Sequence, residues 1–214
     1  ERRLKAAITA QQGTRIVERG DVGEAFAGRP VIAADYHVAP ALHAQIEPRA
    51  ATAAPDGGRM RLWVASQAPA ACRAAVAAAL GAGIDDVILF PMPAGGSTGA
   101  AMEHGIAIQA ALIARATGRP VQLTRSRTED MLQDMPRAPA RARMVASLSS
   151  GATVDAWQAS IATPAARHEW RARVGGAKPH AAAEASAGDA DAGAVADAVP
   201  PYLIPNLAID HLPV

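Results

Sequence analysis

The chain has 214 residues, enough for one large domain or two small ones, and its 21 basic residues balance 20 acidic ones to a net charge of +1. The arginines are scattered and form no basic run, so a nucleic-acid surface is not expected. Half the residues are hydrophobic but only 3% are aromatic, which points to a core of small side chains, chiefly alanine.

Cys72 is the single cysteine, so neither an internal disulfide nor an iron–sulfur cluster can be held by this chain. In its alanine-rich surroundings it reads as a buried structural thiol. No long stretch is apolar enough to span a bilayer, and no signal peptide is legible. The sequence begins with Glu1 rather than Met. Its start need not be the natural N-terminus, and cytoplasm and periplasm both stay open.

In chain order, a short helix is expected over residues 2–11 and another over 21–26, with Asp21 as N-cap. Residues 30–38 alternate as a strand. Residues 46–54 are extended, Asp56-Gly57-Gly58 is a hairpin turn, and residues 59–66 return with strict period two. A helix follows over 68–80, with Pro69 in its first turn and Gly81 closing it. The strand 87–90 leads into Gly95-Gly96-Ser97-Thr98-Gly99 and a long apolar helix from Gly99 or Ala100 to Thr117. A strand over 121–124 completes strand–helix–strand–helix–strand, the alternation of an α/β layer, with flanking antiparallel strands.

Residues 126–131 form a polar turn capped by Ser126 or Thr128, and 141–148 with 153–163 form a long antiparallel hairpin. Residues 164–199 have few large apolar side chains and are expected to be a mobile loop. A last strand is expected over 202–212. The core is placed at about 30–163 of one domain.

The glycine stretch is the chemically suggestive part. Glycines allow a backbone to turn tightly and approach a ligand, and free N–H groups at a following helix start would favour an anion or oxo group. The alternative is a plain turn between strand and helix. The stretch matches neither the dinucleotide fingerprint nor a phosphate P-loop.

Five ordered pieces carry a resemblance: Ala34-Asp35-Tyr36 with His43-Ala44-Gln45-Ile46-Glu47-Pro48; Trp63 to Pro69; Gly95 to Gly99; Gly118-Arg119-Pro120-Val121; and Ser126 to Met131. The segments Gly151 to Trp157 and Pro201 to Asn206 extend it. Together they resemble the large, molybdenum-cofactor subunit of the xanthine oxidase and aldehyde oxidase family, most of all the isoquinoline 1-oxidoreductase β-subunit branch.

The resemblance implies an α/β molybdopterin-binding domain. It implies that Gln67 hydrogen-bonds an oxygen on molybdenum and that Gly95, Gly96, Ser97, Thr98 and Gly99 form the loop facing the cofactor. Glu103 falls where this branch places a glutamate after the loop, and His43 and Glu47 are taken as structural. No residue here matches the family's catalytic glutamate, and none is a metal ligand. The chain would then be a fragment, split subunit or degenerate member. Its partners would be the rest of the large subunit, an iron–sulfur subunit and a small-molecule substrate, an aldehyde or N-heterocycle. Ser97 and Thr98 depart from the family, which has a glycine and a phenylalanine there. That departure favours the second reading, a non-catalytic binding or assembly module. A third is an unrelated alanine-rich α/β binding domain.

Overall fold

The computed structural model describes residues 1–214. Two compact units divide the chain: Glu1–Ala41, Ala138–Ala172 and Lys178–Val214 make one, and Leu42–Arg137 with Arg173–Ala177 make the other.

The first unit is built on a five-stranded sheet. Its strands are β1 (Thr14–Arg19), β2 (Val31–Val38), β7 (Ala140–Leu148), β8 (Val154–Thr163) and β9 (Asn206–Pro213), in the order β1-β9-β8-β7-β2. The predicted β7–β8 hairpin forms, with Arg143 opposite Ser160. The final strand β9 starts at Asn206 rather than at the expected 202, because the Ile204 N–H turns back onto the Tyr202 carbonyl at 3.0 Å; it pairs parallel to β8 and antiparallel to β1. Helix α1 (Arg2–Ala10) buries Leu4 and Ile8 against Ala162 and Leu212. Helix α2 (Val22–Phe26) starts as expected, with the Asp21 carboxylate accepting the Glu24 N–H at 2.9 Å.

Residues 164–199 are not a structureless loop. They carry α6 (Ala166–Val174), α7 (Pro179–Ser186), α8 (Ala192–Val195) and a 3-10 turn at Ala196–Ala198. The cause is polar rather than apolar. Asp191 is buried, and its carboxylate accepts the N–H groups of Arg167 (2.8 Å), His168 (3.3 Å) and Gly193 (2.9 Å). The Asp191 N–H donates to Nδ1 of the fully buried His211, whose Nε2–H donates to the Thr163 carbonyl, both at 3.0 Å. Ala182 and Val195 are buried as anchors of α7 and α8.

The second unit holds the sheet β5-β4-β3-β6, made of β3 (Ala50–Asp56), β4 (Arg59–Ala65), β5 (Val87–Met92) and β6 (Val121–Thr124). Met60, Leu62 and Val64 point into the core, as the period-two pattern requires. The hairpin turn has Gly57 and Gly58 at φ +54° and +90°, a conformation glycine adopts without strain. Helices α3 (Pro69–Leu80) and α4 (Gly105–Thr117) share one core with β3, β4 and β5. In α4, Ala107, Ala110, Ala111 and Ala114 are fully buried, so the core is made of small side chains as composition suggests.

Strand direction decides where the site falls. β5 runs parallel to β4, while β3 is antiparallel to both β4 and β6. The carboxyl ends of β4, β5 and β6 therefore meet at one edge, with the start of β3 between them. In such sheets this is the edge that ligands use.

Three expectations need correction here. Residues 126–131 are not a turn: they lie in helix α5 (Arg127–Leu132), which starts because the Ser126 hydroxyl accepts the Glu129 N–H at 3.1 Å. The strand expected from residue 46 starts at Ala50, because the Gln45 and Ile46 carbonyls are taken by Arg127 rather than by a neighbouring strand. The long helix does not begin at Gly99 or Ala100. Ala100–Met102 is a 3-10 turn, Glu103 is extended (φ −89°, ψ 141°), and α4 starts at Gly105. The Glu103 carboxylate is drawn to Arg173, with N–O distances of 2.8 and 3.3 Å. The dipole of α4 is thus displaced from the glycine loop, and the loop must supply its own donors.

Candidate cofactor site

Three connections converge at the carboxyl edge of the second unit's sheet: Gln67 after β4, residues 95–99 after β5, and Arg125 to Asp134 after β6. The backbone N–H of Gln67 donates to the Ala101 carbonyl at 3.0 Å, which seats Gln67 beside the turn that follows the glycine loop. Gln67 is exposed, and its side-chain amide has no hydrogen-bond partner within the chain. A cleft of about 260 Å³ opens at this edge. Gly95, Ser97, Glu47, Glu103, Trp63 and Gln122 are among its lining residues, while Gln67, Gly96, Thr98 and Gly99 stand outside its wall. The indole of Trp63 stacks on Phe90 with centroids 5.0 Å apart.

Each glycine has its own reason. Gly95 has an ordinary φ, but a Cβ there would lie 2.3 Å from the Glu47 carboxyl group. Gly96 is left-handed at φ +60°, and a Cβ would meet Ile46 Cδ1 at 2.9 Å. Gly99, at φ +108°, faces the His43 ring. Close packing on residues 43–47, as much as ligand approach, requires these glycines. Thr98 sits at φ +50°, a left-handed conformation costly for a β-branched residue, and its hydroxyl donates to the His43 carbonyl at 3.0 Å.

The backbone N–H groups of residues 95–99 meet no acceptor within the chain. Free amides in a loop with left-handed residues at Gly96, Thr98 and Gly99 are available to donate to an anion or oxo group. Of the three charged residues lining the cleft, Arg49 pairs with Asp130 and Glu103 with Arg173, leaving Glu47 alone without an ion-pair partner. The donor set fits an oxo-bearing anionic group once the Glu47 carboxylate, held by no ion pair, swings aside.

Sequence reasoning gave no role to the polar network under the site. Asp130 is 1% exposed and accepts from Gln45 Nε2, from Arg49 Nε at 2.5 Å and from the Arg49 N–H at 3.3 Å. Asp134 accepts from the His43 N–H at 2.6 Å and lies 3.1 Å from His43 Nδ1. Buried Arg125 approaches Gln109 at 3.3 Å, and its desolvation pulls its pKa below the usual arginine value. His104, the residue before α4, is also buried, and burial lowers its pKa, so the ring is neutral at pH 7. Burial likewise raises the Cys72 thiol to about 11, which fits the expected inert structural cysteine.

An α/β unit with a donor-lined loop at the carboxyl edge of its parallel strands defines a ligand-binding class of domain. Comparison with known proteins gives the family: residues 8–211 match the molybdopterin cofactor-binding domain, and the chain belongs to that family. It is 36% identical over 106 residues to the aldehyde oxidoreductase molybdenum-binding subunit PaoC of Escherichia coli, in both strain K12 and O157:H7. That match covers 49% of this chain and 14% of the relative's length. The aldehyde oxidoreductase of Desulfovibrio desulfuricans ATCC 27774 superposes with a TM-score of 0.69 at 17% identity, over 92% of this chain and 21% of that one. Quinoline 2-oxidoreductase of Pseudomonas putida 86 superposes with a TM-score of 0.62 at 22% identity, over 72% and 20%. CO dehydrogenase of Oligotropha carboxidovorans gives 0.66 at 18%, over 92% and 24%. The mixed α/β fold is thus that of molybdenum hydroxylases, and molybdopterin is the cofactor its family binds. No helix is long and apolar enough to cross a membrane.

Proposed function

We propose that both units are parts of one molybdopterin-binding domain of a molybdenum-dependent oxidoreductase that acts on aldehydes or N-heterocycles. In this reading the chain supplies one wall of the cofactor site. The supporting observation is the convergence of Gln67 and the unpaired N–H groups of residues 95–99 at one sheet edge. Bound there, the cofactor supplies the redox centre for hydroxylating an electron-poor carbon, while the protein binds and orients it.

The residues have distinct tasks. The N–H groups of Gly95, Gly96, Ser97, Thr98 and Gly99 would donate to the anionic group, and the Gln67 amide would donate from the end of the neighbouring strand. Trp63, stacked on Phe90, gives the cleft an aromatic wall. The rest of the large subunit and an iron–sulfur subunit complete the assembly, so the isolated chain does not turn over. A second reading, a degenerate module without catalysis, is favoured by Ser97, by Thr98 at φ +50° and by the unpaired Glu47 beside the loop. Metal and pterin analysis of the chain purified with its partners separates the two. Molybdenum and pterin in a fixed ratio to protein support the first, and their absence supports the second.

A further inference from the structure

The glycine loop does not hold itself. Its contacts run to residues 43–47: the Ile46 N–H donates to the Gly96 carbonyl at 3.3 Å, the Thr98 hydroxyl donates to the His43 carbonyl, and Gly95, Gly96 and Gly99 pack on Glu47, Ile46 and His43. Residues 43–47 belong to no helix or strand, and their own hydrogen bonds do not rigidify them. What holds them is the connection after β6. Arg127 donates to the carbonyls of both Gln45 and Ile46, the second at 2.6 Å. Asp134 takes the His43 N–H, and Asp130 takes the Gln45 amide while anchoring Arg49 just beyond. Both carboxylates are almost wholly buried, where charge-assisted bonds are strong and a missing partner is costly.

We propose that Arg127 and Asp130 are positioning residues for the glycine loop, acting through residues 43–47. They clamp that segment, and the segment sets the path of residues 95–99. The clamp concerns the loop's geometry; its consequence for the cofactor rests on the function proposed above.

Hydrogen exchange in the 214-residue chain reads the coupling directly. The reporters are the bonded amides of Ile46, of Ala100 (to Ser97, 2.9 Å) and of Met102 (to Gly99, 3.1 Å). Amides in the middle of α4 are the control. In Arg127→Ala the reporters should exchange about tenfold faster while α4 is unaltered, because local openings are independent of global unfolding. Arg127→Lys, able to serve only one carbonyl at a time, should fall between. Asp130→Asn should act in the same direction, and if it does not fold the Arg127 pair still decides.

Unchanged exchange at Ala100 and Met102, or equal acceleration across α4, overturns the proposal. A second arm measures molybdenum content of the assembled complex. Faster loop exchange with undiminished molybdenum upholds the clamp and removes the loop from the cofactor site. Faster exchange with lost molybdenum upholds both.

Discussion

Replacing Gly96 by alanine separates backbone strain from packing at the loop. Gly96 is at φ +60°, where an L-residue pays about 1–2 kcal/mol. Its added Cβ would lie 2.9 Å from Ile46 Cδ1. Pushing that side chain off its rotamer costs about 0.5–1.5 kcal/mol more. Gly96→Ala should therefore destabilise by about 2–3 kcal/mol. Ile46 is 80% exposed, so Ile46→Ala alone should stay within about 0.5 kcal/mol. In the double variant the clash is relieved and only the φ cost of about 1–2 kcal/mol remains. Gly95→Ala is the contrast. Its φ is ordinary, and the obstacle is the carboxyl end of unpaired Glu47, which can rotate away. It should cost under about 1 kcal/mol, and nothing in a Glu47→Ala background. Urea denaturation of these variants, with Glu47→Ala as the reference for its own double, measures all of this. Gly95→Ala costing as much as Gly96→Ala, or a cost at Gly96 abolished by Ile46→Ala, would refute the reasoning.

Other outcomes follow from the same structure. Acid should destabilise the fold in two steps. The folded-state pKa of His104 lies below its ordinary 6.5, so its contribution is complete above that value and is lost as pH falls through the lowered one. Asp191 is buried, but the N–H bonds from Arg167, His168 and Gly193 outweigh desolvation and hold its pKa below 3.8, so its contribution disappears only in stronger acid. Urea midpoints against pH should show both steps, and His104→Gln should remove the first. Limited proteolysis should cut first within residues 164–199, whose short helices have few large anchors; first cuts inside residues 59–124 would contradict that. The isolated chain should show no oxidation of aldehydes or N-heterocycles in a dye-reduction assay, and cofactor-dependent turnover by it alone would contradict the fragment reading.

Local signals carried most of the second unit's fold. The alternation in β4, the Ser126 cap and the Gly57–Gly58 turn depend on residues within a few positions of one another. The break at Glu103 was illegible because its cause, Arg173, lies 70 residues on. The helices of residues 164–199 escaped for the same reason. Each is too short to form by propensity, and they are held by Asp191, itself fixed by His211. At the site, the glycines and Gln67 were visible as a motif, and parallel pairing of β4 with β5 puts them on one edge. Which glycine is needed for strain and which for packing depends on Glu47 and Ile46 across the loop, a contact no spacing encodes. Arg127 and Asp130 stood in a recognised motif, yet their partners lie more than 80 residues upstream.

The central claim, that residues 95–99 hold a molybdenum cofactor, is tested most directly by molybdenum-to-protein ratio in the assembled complex. The comparison is Gly96→Ala against Gly58→Ala. Gly58 is also left-handed, at φ +90°, but sits in the β3–β4 turn at the opposite end of the sheet. The account predicts that Gly96→Ala loses most of its molybdenum while Gly58→Ala, strained by its φ alone, keeps a wild-type ratio. Equal molybdenum in the two variants would contradict it.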